Sequence, residues 1–142
     1  MSKRVNFGVL GAGGIARRKT IPGMLKAKHC RLVAVMDPVK IDDIAAAFGV
    51  PKAYAKEADL LADPEVQAVY IASPVFCHLR QIQMAAEAGK HILCEKPLTL
   101  NVKQAKEAVA ACRRHKVFLQ EGYMMKFHGA HQRIKQLIDE GR

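Results

Sequence analysis

Two hydrophobic rhythms alternate along this chain. Residues 5–10, 32–36, 66–72, 91–94 and 117–120 form short runs that are apolar at most positions, whereas the stretches between them return an apolar residue every three or four positions. Runs without strict in–out alternation suit strands covered on both faces, and the intervening period is helical. Ile41, Ile44, Ala45 and Phe48 mark one face of a short helix that Gly49 closes, followed by a brief strand at Ala53 and Tyr54 and a little helix near residues 58–61. The strongest strand, 66–72, stops at Ser73-Pro74. Leu79, Ile82 and Ala86 predict a helix ending at Gly89, and Val102, Ala105, Val109 and Cys112 predict an inward stripe on another that starts near Asn101. A last helix is expected to turn Ala130, Ile134, Leu137 and Ile138 inward and to cap at Gly141. Strand and helix in this order predict an α/β fold, a doubly wound parallel sheet of the Rossmann type. At 142 residues the chain reads as one domain, long enough to bury roughly 70% of its unfolded surface.

The first strand runs into Gly11-Ala12-Gly13-Gly14-Ile15-Ala16, and Asp37 closes the second strand 21 residues beyond Ala16. The small residues serve distinct physical ends. Gly11 permits the tight turn, Gly13 lets bare backbone approach a pyrophosphate, and Ala16 keeps the following helix close to the sheet. That helix directs its first N–H groups, at the positive end of its dipole, toward phosphates. A carboxylate at Asp37 accepts from an adenosine ribose and repels a 2′-phosphate, which predicts NAD over NADP, with Lys40 nearby to soften the preference. A turn that merely packs closely is the alternative, and the agreement of loop with acid favours the dinucleotide.

The net charge of +10 favours anionic partners without choosing among them. Basic groups such as Arg17-Arg18-Lys19 and Arg113-Arg114-His115-Lys116 lack the interleaved aromatics of a nucleic-acid groove, so they read as solvated faces. Cys30, Cys77, Cys94 and Cys112 are scattered, without a C-x-x-C pair; free thiols in a reducing compartment are expected, with no metal site. Residues 1–4 lead directly into a strand with no apolar stretch of signal or membrane length, and a cytoplasmic location with no membrane partner follows as the expectation.

Three further groups are candidates for chemistry. Ser73-Pro74 leaves a strand near the switch in strand order, where open α/β sheets hold ligands, although proline there also simply ends a strand. His78 follows, and pattern alone favours a structural role for it. Glu95-Lys96-Pro97 leaves the carboxyl end of another strand; a surface ion pair before a turn and a functional lysine, bonding hydroxyls or moving a proton, are equally consistent with the residues. His115, His128 and His131 read as surface or packing residues, and no nucleophile–base arrangement is visible.

With those residues in place, the chain resembles the Gfo/Idh/MocA family. The resemblance rests on residues 11–16, Asp37, Ser73-Pro74 with His78, the run from Ala88 to Pro97, and the segment from Glu121-Gly122-Tyr123 through Phe127-His128. It implies that Gly11, Ala12, Gly13, Gly14 and Ile15 bind the cofactor, with the Gly14-Ile15 backbone holding the pyrophosphate, that Asp37 holds the adenosine ribose, and that Ser73, Pro74 and His78 hold the middle of the cofactor. Glu95, Lys96 and Pro97 would then lie near the nicotinamide, with Lys96 the catalytic candidate. The implied activity is hydride transfer between NAD(P) and a sugar, polyol or related small molecule. Lys126 and Gly129 depart from the arginine and proline that the family often carries. Family members continue into a second α+β domain that binds substrate, supplies a catalytic histidine and commonly forms a homo-oligomer interface, so turnover by residues 1–142 alone is doubtful. A non-catalytic sensing module and a methyltransferase-like domain are the competing readings, and the Glu95-Lys96-Pro97 strand end favours nicotinamide over the latter.

Overall fold

The computed structural model describes residues 4–39 and 41–142. Strand and helix alternate: β1 (Val5–Leu10), a π-helical stretch (Ala16–Thr20) running into α1 (Ile21–Lys26), β2 (Cys30–Met36), α2 (Ile41–Phe48), β3 (Lys52–Tyr54), α3 (Glu57–Ala62) and β4 (Ala68–Ile71). They continue as α4 (Val75–Glu87), β5 (His91–Cys94), α5 (Val102–Arg114), β6 (Leu119–Glu121), a 3₁₀ turn (Met124–Phe127) and α6 (Gly129–Asp139). The strands pair in the order β3-β2-β1-β4-β5-β6. Every pairing is parallel. The order reverses between β1 and β4, and this is the place at which a doubly wound sheet opens a crevice beyond its strand ends.

The central strands are apolar throughout because both faces are covered. Val9 faces a core with Ile21, Met24, Ile44 and Val50, built by α1 and α2. Leu10 faces the other, with Leu60, Ile82, Ala85 and Ala108, built by α3, α4 and α5. In β4, Val69 and Ile71 join the second core while Tyr70 enters the first. At the amino end of the sheet Lys90 is buried and satisfied, its Nζ donating to the carbonyls of Asp63 and Val66 at 2.9 and 2.7 Å.

Several expectations shift. The strand expected over 66–72 is shorter, because Val66 N–H turns back to Asp63 O at 3.2 Å. The strand expected at 117–120 starts at Leu119, since Val117 N–H closes the end of α5 on Cys112 O. On α5 the inward stripe is Ala108, Ala111 and Cys112, and Val102 is 71% exposed, so the expected stripe through Val102 and Val109 is corrected. Alanines let α5 lie close on Ala85 and Ala86 of α4, an approach valines would hinder. On α6, Ile134 and Ile138 are 53% and 64% exposed, against the expectation that they turn inward. No residue of α6 is fully buried, and of its apolar stripe only Leu137 is half-buried. Among those residues no helix is long and apolar enough to cross a membrane.

Candidate functional site: the crevice at the switch point

At the end of β1 the chain turns through Gly11 at φ +78°. A Cβ there would lie 2.7 Å from the backbone nitrogen of Ser73 and 2.9 Å from its Cα, so only glycine brings the turn this close to the end of β4. The N–H groups of Gly11 and Ala12 both donate to Met36 O at the end of β2, at 2.9 and 3.0 Å. Gly13 N–H then donates to Asp37 Oδ2 at 2.9 Å, and Asp37 Oδ1 accepts from Val39 N–H at 3.0 Å. The carboxylate expected to read a ribose therefore also fixes the loop. Gly14, at φ +46°, opens the helical stretch, and a Cβ on it would meet nothing within 4 Å. Ala16 behind it is fully buried.

These elements enclose a crevice of about 530 Å³ in which Gly11, Gly13, Gly14, Asp37, Ser73 and Pro74 come together. A dinucleotide fits it on structural grounds: the open side of Gly14 gives bare backbone to phosphate, and Asp37 keeps lone pairs beyond the two N–H groups it accepts from. Ala12 is fully buried and Ile15 is on the exposed side of the turn. Lys40, expected to temper Asp37, lies outside the described residues.

The turn after β5 is assembled differently. Glu95 Oε1 accepts from the Tyr70 hydroxyl at 2.5 Å, and Oε2 accepts from the Lys96 backbone N–H at 3.1 Å. The Tyr70 hydroxyl also meets Thr20 Oγ1 at 2.9 Å. Burial, then the bond to Glu95, pushes the Tyr70 phenol well above its ordinary value, so it stays a proton donor. The Lys96–Pro97 peptide is cis. Leu98 N–H donates to Glu121 Oε1 at 2.9 Å, and Gly122 N–H to Cys94 O at 2.6 Å. Burial first, with the charges of Glu95 and Glu121 adding, pushes the Cys94 thiol up to about 12. Lys96 is exposed; its neighbour Glu95, with Tyr70, Leu93, Tyr123 and Phe127, lines a largely apolar cavity of about 260 Å³.

His78 does not present its ring to the crevice. It is 1% exposed, with Nε2 2.9 Å from Ser73 O and Nδ1 3.1 Å from Pro97 O. It sits between the two turns from within, and as a neutral ring it donates to one of these carbonyls. Cys77, within the stretch from Ser73 to His78, also lines the crevice, as do Glu57 and Gln81, which had no motif to announce them. The buried Gln81 accepts from Ser73 Oγ and donates to Glu57 Oε1 at 2.5 Å. Arg80 Nη2 lies 2.7 Å from each Glu57 oxygen. Burial opposes the charge on Glu57, and the bonds from Arg80 and Gln81 overcome it, holding the carboxyl below its ordinary range. Among the described residues no cluster of His, Cys, Asp or Glu is arranged to hold a metal ion.

A parallel sheet with a glycine turn and an acid at its switch point defines a dinucleotide-binding Rossmann domain. Residues 5–123 match a family model described as an oxidoreductase family with an NAD-binding Rossmann fold, and the chain belongs to that family, Gfo/Idh/MocA. An uncharacterized oxidoreductase of Rhizobium meliloti is 37% identical over 139 residues, which are 96% of this chain and 42% of that protein. The scyllo-inositol dehydrogenase of Lactobacillus casei, solved with bound NAD(H) and scyllo-inositol, superposes with a TM-score of 0.90 at 29% identity, covering 98% of this chain and 42% of that one. A 3-ketoreductase from Actinomadura kijaniata, solved with NADP and TDP-benzene, gives 0.90 at 30% identity over 98% and 43% of the two chains. The chain therefore spans about two fifths of the length of each of these relatives.

Proposed function

We propose that this chain holds the nicotinamide cofactor of an oxidoreductase acting on a sugar, polyol or related hydroxyl or carbonyl compound, and that it prefers NAD. The observation that carries the reading is the meeting of the Gly11–Gly14 turn, Asp37 and Ser73 in one crevice at the β1/β4 switch point. The solved relatives with NAD(H) and scyllo-inositol, and with NADP and a thymidine-diphosphate compound, support the cofactor and substrate classes. In this reading the backbone of Gly13 and Gly14 takes pyrophosphate, Asp37 accepts from the adenosine ribose hydroxyls, and Ser73 and Pro74 line the middle of the cofactor. His78 serves them by holding the Ser73 carbonyl from beneath.

A bound nicotinamide supplies the hydride donor or acceptor. Glu95 anchors the backbone of Lys96, leaving the exposed amine to hold or release a proton at Nζ as a substrate hydroxyl becomes a carbonyl, or the reverse. Leu98, whose N–H donates to Glu121, fixes where that amine starts. Substrate contacts and any oligomer interface are assigned to segments that the longer relatives carry, so residues 1–142 alone should bind cofactor and turn over slowly at most. A cytoplasmic location accords with free thiols at Cys30, Cys77, Cys94 and Cys112. Calorimetric titration with NAD and NADP tests the proposal. NAD should bind the more tightly; tighter NADP binding overturns the preference, and no binding of either overturns the dinucleotide reading.

A further inference from the structure

Glu57 stands on the wall between two concavities. One is the dinucleotide crevice, shared with Asp37, Ser73 and Gln81. The other, of about 450 Å³, is lined by Pro38, Lys56, Glu57, Arg80 and Met84. Pro38, which follows the ribose-reading Asp37, also borders both. The Arg80 side chain is 56% exposed, while that of Glu57 is only 18% exposed, so the arginine is the free-reaching partner and the glutamate the anchored one. Gln81 fixes Glu57 from behind and is itself held by Ser73.

We infer that Glu57 keeps Arg80 turned away from the ribose end of the crevice, and so is a second determinant of the preference for a 2′-hydroxyl over a 2′-phosphate. This rests on the dinucleotide reading above. A guanidinium is the side chain best suited to a phosphate, because its planar donors pair with two oxygens at once. Here its Nη2 is committed to the Glu57 carboxylate, at 2.7 Å from both oxygens. A cofactor carrying a 2′-phosphate must then face the Asp37 carboxylate without help from Arg80. Loss of the Glu57 charge frees the guanidinium one concavity away from Asp37.

Glu57→Gln is the informative variant, since it removes the charge but keeps an oxygen that accepts from Gln81. In the full chain, the affinity for NADP relative to NAD should rise about tenfold, the scale of one charge-assisted phosphate contact. Glu57→Gln with Arg80→Ala has the same net charge as the wild type and should return the ratio to its starting value. Adding Arg80→Lys to Glu57→Gln instead keeps the charge but removes the planar fork and should forgo most of the gain, which separates a guanidinium contact from the mere loss of a negative field. Glu57→Ala carries the same expectation should the glutamine variant fold poorly by circular dichroism. A ratio unchanged by both Glu57 variants, or a gain that survives Arg80→Ala, overturns the inference while NAD binding leaves the dinucleotide reading standing. Absence of binding by the wild type to either cofactor overturns both.

Discussion

The turn after β1 holds its shape through backbone and one carboxylate: Gly11 sits at φ +78°, its neighbour's N–H shares the Met36 carbonyl with its own, and Asp37, next along from Met36, completes the loop through Gly13. The turn after β5 holds its shape through side chains lent by three other elements, Tyr70 from β4, His78 from α4 and Glu121 from β6. Both face the ligand edge of one sheet. The first has a single local requirement that no other residue type meets. The second spreads its requirements over positions far apart in the chain, so each is individually less costly to lose and more readily replaced.

If that contrast is right, the largest effect belongs to Gly11→Val. A β-branched residue must adopt a positive φ and place its Cβ 2.7 Å from the Ser73 nitrogen, which should cost about 4 kcal/mol as strain and overlap combine. Urea unfolding reads the loss, and NAD titration should show binding abolished in whatever remains folded. A tolerated valine would mean that the turn is not backbone-limited.

Lys96→Ala comes next, and it addresses function rather than shape. Because the turn is held by Glu95, Pro97 and Leu98, the exposed lysine side chain should be removable without unfolding. In the full-length enzyme kcat/KM should fall about a hundredfold, as for a lost proton-transfer group, with NAD affinity nearly unchanged. Unfolding with normal turnover per folded molecule would assign Lys96 to structure.

His78→Leu should destabilise by about 2 kcal/mol, since one of the Ser73 and Pro97 carbonyls loses a buried N–H donor. A loss below about 0.5 kcal/mol in chemical denaturation would show that these contacts are incidental. Tyr70→Phe is the smallest of the four. It removes one donor to the Glu95 carboxylate and should cost about 1.5 kcal/mol, with the space otherwise filled. Comparing Tyr70→Phe with His78→Leu, singly and together, tests whether the turn has independent supports: additive losses mean that it does.

The helices show where sequence reasoning reached its limit. Leu79, Ile82 and Ala86 on α4 and Ile134, Leu137 and Ile138 on α6 carry the same kind of apolar period, and both segments are helical. Ile82 is fully buried, while Ile138 is mostly exposed. Periodicity reports that a helix has an apolar face; it holds no information about what lies against that face. On α5 the same rule failed in detail, because the choice between the Val102–Val109 side and the Ala108–Ala111 side was made by how closely α4 approaches. Asn101 was readable as the start of α5 because a cap is local, and its side chain does accept from Gln104 N–H at 3.0 Å.

By itself the sequence determined the alternation of strand and helix, the parallel doubly wound sheet, the glycine turn with its acid, and the family. Each rests on nearest neighbours or on a period of a few residues, and such signals survive without knowledge of distant contacts. Tertiary structure alone decided that Glu57 and Gln81 join the crevice wall with Arg80 held on Glu57 outside it, that His78 lies between two turns from inside, and that Tyr70 bonds Glu95. Those residues lie 5 to 25 positions from their partners, with no spacing rule to connect them, because hydrogen bonds between side chains depend on where the sheet and its helices bring atoms within about 3 Å.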